Sequence, residues 1–227
     1  MVRSSLCAST QIIAMNVGTE YYQHHRPEVA KLLPLHYSRV LEIGCGEGRF
    51  RPHLTQPCEY MGVEPSPAAA AIASGSLDRV ITGTFESAAE RLPANYFDLV
   101  ICNDVIEHMV DHDRFLNDIQ RHMAPGAFLV GSVPNVRYIF NLWDLLVRKD
   151  WRYMDHGVLD RTHLRFFTQK SWRASLLAHH FSIEALHGIN EPSWGSRLLR
   201  RWAKLSMAAL VGSDSKFLQI GFRAKRG

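Results

Sequence analysis

Residues 40–50 read Val-Leu-Glu-Ile-Gly-Cys-Gly-Glu-Gly-Arg-Phe, and this stretch decides the fold. Its first four residues predict a short buried strand, and glycines follow at alternate positions, Gly44, Gly46 and Gly48. Glycines at this density allow a tight turn and let a ligand approach the backbone without an intervening Cβ. A dinucleotide-binding loop has its third glycine one position later, where this chain has Arg49. The spacing therefore argues against a dinucleotide.

Glu42 places a carboxylate near the end of this first strand. A dinucleotide site would have to accept a pyrophosphate there, so a negative charge suits a cationic ligand group better. A helix is predicted to begin directly after the glycines. The stretch thus predicts a strand–loop–helix unit that binds a small molecule with a positively charged group.

Strand and helix patterns alternate along the next hundred residues. Short apolar runs predict strands over 59–63, 79–82, 99–102 and 128–133, and helices over 27–33, 68–73 and 111–123. Thr168 is the predicted N-cap of a helix that extends to His179. Two final strands, over 181–186 and 216–225, are predicted to pair antiparallel. The fold class is therefore α/β: a doubly wound, mostly parallel sheet with helices on both faces.

Polar side chains stand at the ends of two of these strands. An acid at the tip of the strand after a glycine loop can accept both hydroxyls of a ribose, which is the role predicted for Glu64. The alternative is a solvated loop carboxylate. Asn103 and Asp104 end the fourth predicted strand, at the carboxyl edge where open α/β sheets bind ligands.

Tyr22 and Arg26 precede the predicted first helix and allow two interpretations. They belong to the solvated face of an ordinary amphipathic helix, or they cover the glycine loop. In the second case Arg26 pairs with a ligand carboxylate through two N–H groups. The sequence leaves both interpretations open.

Two segments interrupt the alternating pattern. Residues 135–165 are rich in aromatic side chains and lie at the carboxyl edge of the sheet, where we expect a lid or a substrate platform. Residues 188–214 form a basic amphipathic connection. Within it, 197–210 predicts a helix that covers the substrate side or packs on the core, with peripheral contact to a membrane as an alternative.

Composition bounds the class of protein. The chain has 227 residues, 46% of them apolar, and a net charge of +4. We expect one domain over 16–227, with a disordered segment over 1–15 and Met15 as an alternative start. Four cysteines without a C-x-x-C pair favour a reducing cytoplasm over a disulfide framework. No apolar run approaches the ~20 residues that span a bilayer, and no signal-peptide core is present.

Several motifs occur in combination: Tyr22 with Arg26-Pro27-Glu28, Asn103-Asp104-Val105-Ile106-Glu107-His108, Ser132-Val133-Pro134-Asn135, and Leu-Asp-Arg-Thr-His-Leu-Arg-Phe-Phe-Thr over 159–168. Together with the glycine loop they resemble the class I S-adenosylmethionine-dependent methyltransferases over roughly residues 20–187. The combination is similar to a bacterial branch associated with glycosyltransferases of surface-polysaccharide assembly. More distantly, it resembles the ubiquinone-type O-methyltransferases.

The resemblance implies a seven-stranded Rossmann-like sheet with a last antiparallel strand, and S-adenosyl-L-methionine as the cofactor. The implied activity is methylation of a hydroxyl on a saccharide or glycan-related acceptor, which the basic segment suggests is anionic or lipid-linked. O- or N-methylation of a quinone, lipid or other small molecule is the alternative. The implied cofactor-binding residues are Tyr22, Arg26, Glu42, Gly44, Cys45, Gly46, Gly48, Glu64, Pro65, Phe85, Glu86, Asn103, Asp104, Val105 and His108.

The chain departs from the family pattern at two positions. Related methyltransferases usually carry an aspartate after the glycine that follows the third strand, where it binds the adenine amino group. Here that position is Thr84, so the backbone of Phe85 or the carboxylate of Glu86 is expected to take over. Ala127 replaces the second of two family glycines, which is a mild change.

Histidine is the natural base for a hydroxyl acceptor near neutral pH. His163 is the predicted base, with Asp160 beside it to orient the ring, and His108 is predicted to position the cofactor or substrate. The alternative for both His108 and His163 is a structural role as a hydrogen-bonding residue. His108 and His112 have the i, i+4 spacing of a metal pair, but no third ligand is evident, and no metal is predicted.

Other functions are disfavoured because the chain lacks the residues that they require. A nucleic-acid amine methyltransferase carries Asn/Asp-Pro-Pro-aromatic after the fourth strand to grip a flipped base, and this chain has Asn103-Asp104-Val105-Ile106 there. Cytosine C5 methylation needs a nucleophilic cysteine near that strand end, whereas Cys58 precedes the second strand. The glycine spacing disfavours a nicotinamide oxidoreductase. A non-catalytic cofactor-binding partner protein remains as an alternative of another class.

Overall fold

The computed structural model describes residues 26–191, 206 and 209–227, and their strands form one seven-stranded sheet. The strands are β1 (Arg39–Ile43), β2 (Glu59–Glu64), β3 (Arg79–Thr82), β4 (Phe97–Asn103), β5 (Met123–Pro134), β6 (Phe181–Ile189) and β7 (Gln219–Arg226). Their order is β3-β2-β1-β4-β5-β7-β6. β7 pairs antiparallel with both β5 and β6, and all other pairs are parallel. The predicted fold class, with its antiparallel last strand, is confirmed.

Short helices connect the strands. They are α1 (Pro27–Ala30), α2 (Pro67–Ala73), α3 (Phe85–Ala88), α4 (His112–Ile119), α5 (Ile139–Trp143) and α6 (Gln169–Ala178). A π-helical turn, Asp144–Arg148, extends α5, and 3₁₀ turns cover Arg51–His53, Ala89–Arg91, Ile106–His108 and Ser213–Lys216. Thr168 caps α6 as predicted, in a capping box with Ser171.

The structure corrects three predicted boundaries. The helix after the glycine loop is only the 3₁₀ turn Arg51–His53, because the chain leaves the turn in an extended conformation at Leu54. The first helix ends at Ala30 rather than near residue 33. The fourth helix ends at Ile119, since β5 begins at Met123, where it pairs with Phe97. Pro125 and Gly126 therefore lie inside β5, where Gly126 has a φ of +73°.

Both faces of the sheet are buried, which explains the continuous apolar run in β4. Val100 and Cys102 belong to the core on one face, where Trp172 of α6 is fully buried. Leu99 and Ile101 point to the other face and pack in a second cluster with Val29 of α1. The period-2 alternation of these four residues is what a strand between two helical layers requires.

One edge of the sheet gathers the polar residues. The carboxyl ends of the parallel strands β1, β2 and β4 present the glycine loop, Glu64 and Asn103 at this edge. Because β7 runs antiparallel, its first residue, Gln219, reaches the same edge and pairs in register with Pro134. The topology thus brings residues from the start and the end of the chain together.

The aromatic-rich segment 135–165 leaves and rejoins the sheet at neighbouring points. Asn135 and Phe167 form an isolated parallel bridge, and Val136 N–H donates to the Phe167 carbonyl (2.9 Å). Of the basic stretch 197–210, only residues 206, 209 and 210 lie within the described residues. In the described part of the chain, every helix is too short or too polar to cross a membrane.

Candidate functional site

A cavity of about 470 Å³ opens at the carboxyl edge of the sheet. The glycine loop and the ends of β2 and β4 form one part of its wall, and residues 156–163 of the insertion form another. The lining residues are Arg26, Glu42, Gly44, Cys45, Gly46, Arg49, Phe50, Glu64, Pro65, Asn103, Asp104, Val105, Glu107, His108, Pro134, His156, Gly157, Val158, Asp160, His163, Leu218 and Gln219.

The glycine loop turns through left-handed backbone conformations. Gly44, Gly46 and Gly48 have φ angles of +69°, +54° and +78°. A Cβ on Gly44 would lie 2.8 Å from Cγ2 of Val105, so the loop packs directly against the segment after β4. Both features demand glycine at position 44.

Glu64 fixes the glycine loop through backbone hydrogen bonds. Its Oε2 accepts the N–H of Gly46 (2.9 Å), and its Oε1 accepts the N–H of Ser66 (2.8 Å). Burial raises the pKa of Glu64, although these two hydrogen bonds oppose the shift. The carboxylate therefore belongs to the cavity wall and is not the solvated loop acid of the alternative interpretation.

Glu42 is buried beneath the loop. Its carboxyl group accepts a hydrogen bond from the hydroxyl of Tyr60 and a longer one from the amide of Asn103 (3.4 Å). Burial raises the pKa of Glu42 to about 8, and the two hydrogen bonds only partly oppose this. A cation in the cavity would favour the ionised form of Glu42.

Asp104 holds a polar network at the tip of β4. It adopts a left-handed conformation (φ +50°) and forms an ion pair with Arg26. Its carboxylate also accepts hydrogen bonds from the hydroxyl of Ser132 (2.8 Å) and from the amide of Gln219. The segment before α1, the central strands and β7 are joined at this one carboxylate.

Glu107 lines the cavity and is fully buried. Neither of its carboxylate oxygens has a hydrogen-bond partner among the residues that the structure describes. Burial raises the pKa of Glu107 well above its ordinary value, and the charge of Asp104 adds to the shift. Oε1 of Glu107 lies 3.9 Å from Nε2 of His163.

His108 and His163 stand next to each other, with ring centroids 4.8 Å apart. The structure thus brings together the two histidines that the sequence singled out, although 55 positions separate them. One ring nitrogen of each histidine and a Glu107 oxygen lie within 4.8 Å of one another. Burial lowers the pKa of His108, and the neighbouring His163 adds to the effect.

The sequence predicted that Asp160 orients the ring of His163. The structure shows a different partner for that ring. Nδ1 of His163 instead contacts the carbonyl of Val158 (2.9 Å). Oδ1 of Asp160 accepts the backbone N–H (2.8 Å) and the hydroxyl (2.6 Å) of Thr162. Burial alone would raise the pKa of Asp160, but the Thr162 hydrogen bonds hold it below its ordinary value. Asp160 shapes the 160–163 turn and leaves His163 to a backbone carbonyl.

Most of the predicted site residues line the cavity, and three do not. Gly48 packs beside Leu77 behind the loop. The side chain of Phe85 lies in the core, edge-on to Phe115 at 4.9 Å, and Glu86 is exposed away from the lining. Tyr22 lies outside the described residues. A backbone contact of Phe85 with adenine stays a prediction.

Glu107 and Gln219 are polar lining residues to which the sequence assigned no role. Glu107 was visible inside the motif 103–108, and an acid directly after an apolar pair was the available signal. Gln219 had no local signal, because its place depends on the antiparallel insertion of β7 beside β5.

Known proteins resemble this chain over most of its length. A family model described as a methyltransferase domain matches residues 20–186. A ubiquinone biosynthesis O-methyltransferase of Azorhizobium caulinodans is 26% identical over 178 residues, which cover 74% of this chain and 68% of that protein. A protein of the same description from Bradyrhizobium diazoefficiens is 33% identical over 101 residues, 43% of this chain and 40% of that one.

A solved structure has the same fold. The crystal structure of a SAM-dependent methyltransferase from Archaeoglobus fulgidus superimposes with a TM-score of 0.65. The alignment covers 91% of this chain and 97% of the other, at 19% identity. This likeness supports the sheet topology described above.

Proposed function

The chain belongs to the methyltransferase-domain family, and we propose that it transfers the methyl group of S-adenosyl-L-methionine to a hydroxyl of a small-molecule acceptor. The observation that carries the proposal is the juxtaposition of an acid-lined glycine loop with a Glu107–His108–His163 cluster in one cavity. The first feature suits the cofactor, and the second suits the acceptor.

The polar groups around the glycine loop fit the cofactor. Oδ1 of Asn103 is buried and has no hydrogen-bond partner among the described residues, so it can accept from the amino group of the methionyl moiety. Arg26 is placed to bind the carboxylate of that moiety, in competition with Asp104. Glu64 is the expected ribose acceptor, and Glu42 favours positive charge.

When bound, S-adenosylmethionine supplies a methyl group on a sulfonium, which an acceptor oxygen displaces in line. The chain's contribution is alignment of the two partners and removal of the acceptor proton. The contact with Val158 requires a hydrogen on Nδ1 of His163, so in the neutral ring Nε2 carries the lone pair, toward Glu107. His163 is therefore the proposed proton acceptor, and His108 is proposed to position the acceptor hydroxyl.

A saccharide or glycan-related acceptor is supported by the polar side chains that line the cavity together with the histidine pair. Asp104, His156, Asp160 and Gln219 line the same cavity as the histidine pair, and these side chains offer both donors and acceptors to several hydroxyls. The resemblance to the glycosyltransferase-associated branch points the same way. We therefore propose a role in surface-polysaccharide assembly, with the 135–165 segment as the substrate-side lid.

A quinone or another aromatic phenol is the second candidate. The curated relatives named above are described as ubiquinone O-methyltransferases. In addition, the insertion exposes Phe140, Trp143 and Leu146, which suits an acceptor with an apolar tail. Both candidates share a hydroxyl group as the methyl acceptor.

The experiment is a methyl-transfer assay with radiolabelled S-adenosylmethionine. Purified protein is incubated in parallel with sugar nucleotides, lipid-linked oligosaccharides and catechols, and cofactor binding is measured by calorimetry. Labelling of a saccharide supports the proposal, and labelling of catechols alone supports the second candidate. Cofactor binding without turnover on any acceptor would favour a non-catalytic partner protein, and absence of binding would refute the methyltransferase assignment.

A further inference from the structure

We propose that Glu107, His108 and His163 form a binding site for one divalent transition-metal ion of the Zn²⁺ or Co²⁺ type. Two imidazoles and one carboxylate are a ligand set that such ions prefer over Mg²⁺ or Ca²⁺, which take oxygen ligands. The site is empty in this structure. Its binding of a metal does not depend on the proposed methyl transfer.

The tautomers of both histidines are set for metal binding. Nδ1 of His108 lies 3.2 Å from both the carbonyl and the hydroxyl oxygen of Thr162. The hydroxyl hydrogen of Thr162 is donated to Asp160, so both oxygens act as acceptors toward the ring. Nδ1 of His108 therefore carries a hydrogen, and Nε2 carries the lone pair that a metal needs.

His163 has the same arrangement. Its Nδ1 donates to the carbonyl of Val158 at 2.9 Å, and its Nε2 faces Glu107. Histidines that bind metal ions usually donate their other ring N–H to a backbone carbonyl or a carboxylate, which fixes the ring. Thr162, Val158 and Asp160 provide these partners from one turn of the insertion.

Glu107 supplies the negative charge and the strongest reason to infer a ligand. A carboxyl group that is fully buried with both oxygens unpartnered in the described chain is costly, and a bound cation would satisfy it. Its backbone carbonyl accepts N–H groups from Leu164 (2.8 Å) and Arg165 (3.0 Å), which tie it to the turn that carries His163. The carboxylate and the second imidazole are therefore held together.

The separations suit an ion after a small closure. Nε2 of His163 is 3.9 Å from Oε1 of Glu107, and one ring nitrogen of each histidine and one Glu107 oxygen lie within 4.8 Å of one another. Ligands of tetrahedral Zn²⁺ are about 3.3 Å apart, given bonds of about 2.0–2.1 Å. Three protein ligands leave a fourth position for an oxygen atom from the cavity, which is the pattern of catalytic sites.

Titration of chelator-treated, full-length protein with Co²⁺ tests the site. We expect one equivalent to bind, with visible absorption bands of a low-coordinate ion and a higher melting temperature. His163→Ala and Glu107→Gln should each weaken binding by about 100-fold or more. His112→Ala is the matched control, since His112 is four residues from His108 but outside the cluster.

Far-UV circular dichroism and cooperative urea unfolding of the same variants show whether they are folded. Absence of Co²⁺ and Zn²⁺ binding to folded wild-type protein would overturn the proposal. So would Co²⁺ bands that survive in both His163→Ala and Glu107→Gln. Neither result bears on whether the protein transfers methyl groups.

A catalytic use of the ion does rest on the proposed function. A hydroxyl bound to a divalent metal loses its proton at lower pH than the same hydroxyl in water. In the loaded enzyme, His163 would then be a ligand rather than the proton acceptor. Turnover should rise when one equivalent of the ion is added to chelator-treated enzyme, and unchanged turnover would refute this use.

Discussion

Nε2 of His163 lies 3.9 Å from Oε1 of Glu107, and the two side chains are 6% and 0% exposed. Two residues, Arg161 and Thr162, separate this histidine from the Asp160 that shapes its turn, while Glu107 comes from the 3₁₀ turn after β4. The pair therefore depends on the closure of the insertion against the sheet. An imidazole and a carboxyl group held out of water at this separation can share a proton or a cation.

Replacement of His163 by alanine should reduce kcat for methyl transfer by about 10²–10⁴-fold, the usual contribution of proton transfer. The affinity for S-adenosylmethionine should change little, because Glu64 holds the glycine loop through hydrogen bonds that do not involve His163. Steady-state kinetics and calorimetry on the same preparation separate the two effects. His187→Ala, an exposed position on β6, is the control, and equal losses in both variants would contradict the assignment.

Replacement of Arg26 by glutamine should weaken S-adenosylmethionine binding by about 10-fold, because a charge-assisted pair with the cofactor carboxylate is lost. The same change also breaks the ion pair with Asp104, so a second ligand is needed to separate the effects. Methylthioadenosine lacks the amino acid moiety and should bind both proteins equally. Parallel losses for the two ligands would mean that Arg26 acts only by holding the segment before α1.

Replacement of Gly44 by alanine should destabilise the protein by more than the backbone strain of a left-handed alanine, about 1–2 kcal/mol. The added Cβ would lie 2.8 Å from Cγ2 of Val105, so that segment would have to move as well. Gly157→Ala is the matched comparison, since Gly157 has a φ of +87° and no described atom within 4 Å of an added Cβ. Chemical denaturation of both variants measures the difference.

The double variant Gly44→Ala, Val105→Ala tests whether collision with Val105 causes the additional destabilisation. Removal of the Val105 methyl groups relieves the collision but leaves the φ strain, so the double variant should recover part of the loss. Additive destabilisation in the double variant would show that the collision does not cause the effect.

The order of the elements could be predicted because the hydrophobic periods are local. The apolar run at 99–102 and the glycines after Ile43 define β4 and the loop without any knowledge of their neighbours. The predicted ends of helices and strands were wrong where pairing with a distant strand sets the boundary. β5 starts at Met123, since Phe97 is there to pair with it, and no local pattern encodes that register.

The cofactor side of the site could be predicted in the same way, because it is built at strand ends. The side of the site that faces the methyl acceptor could not be predicted from the sequence. Glu107 enters the cavity only because the turn Ile106–His108 is closed by Leu164 and Arg165. Gln219 reaches Asp104 from 115 positions away. A single sequence does not state which distant segments meet, so these residues required the fold.

Glu42 should make the unliganded protein less stable as the pH rises from about 5 to 8. Its pKa in the folded state is about 8, against 4.5 ordinarily, so over this window the folded chain retains a proton that the unfolded chain has released. Stability must then fall as pH rises, by up to about 4 kcal/mol from this one group. Glu64 and Glu107 contribute in the same direction, since their pKa values are also raised.

Glu42→Gln isolates the contribution of Glu42, because glutamine keeps an acceptor for Tyr60 but does not ionise. Urea denaturation at pH 5 and pH 8 should show a smaller decrease in unfolding free energy for the variant than for the wild type. A cationic cofactor should ionise Glu42, so binding at pH 7 should release a proton in the wild type and fewer in the variant. Calorimetry in buffers of different ionisation enthalpy counts these protons. Identical pH dependence and proton release in both proteins would mean that Glu42 is already ionised in the unliganded fold.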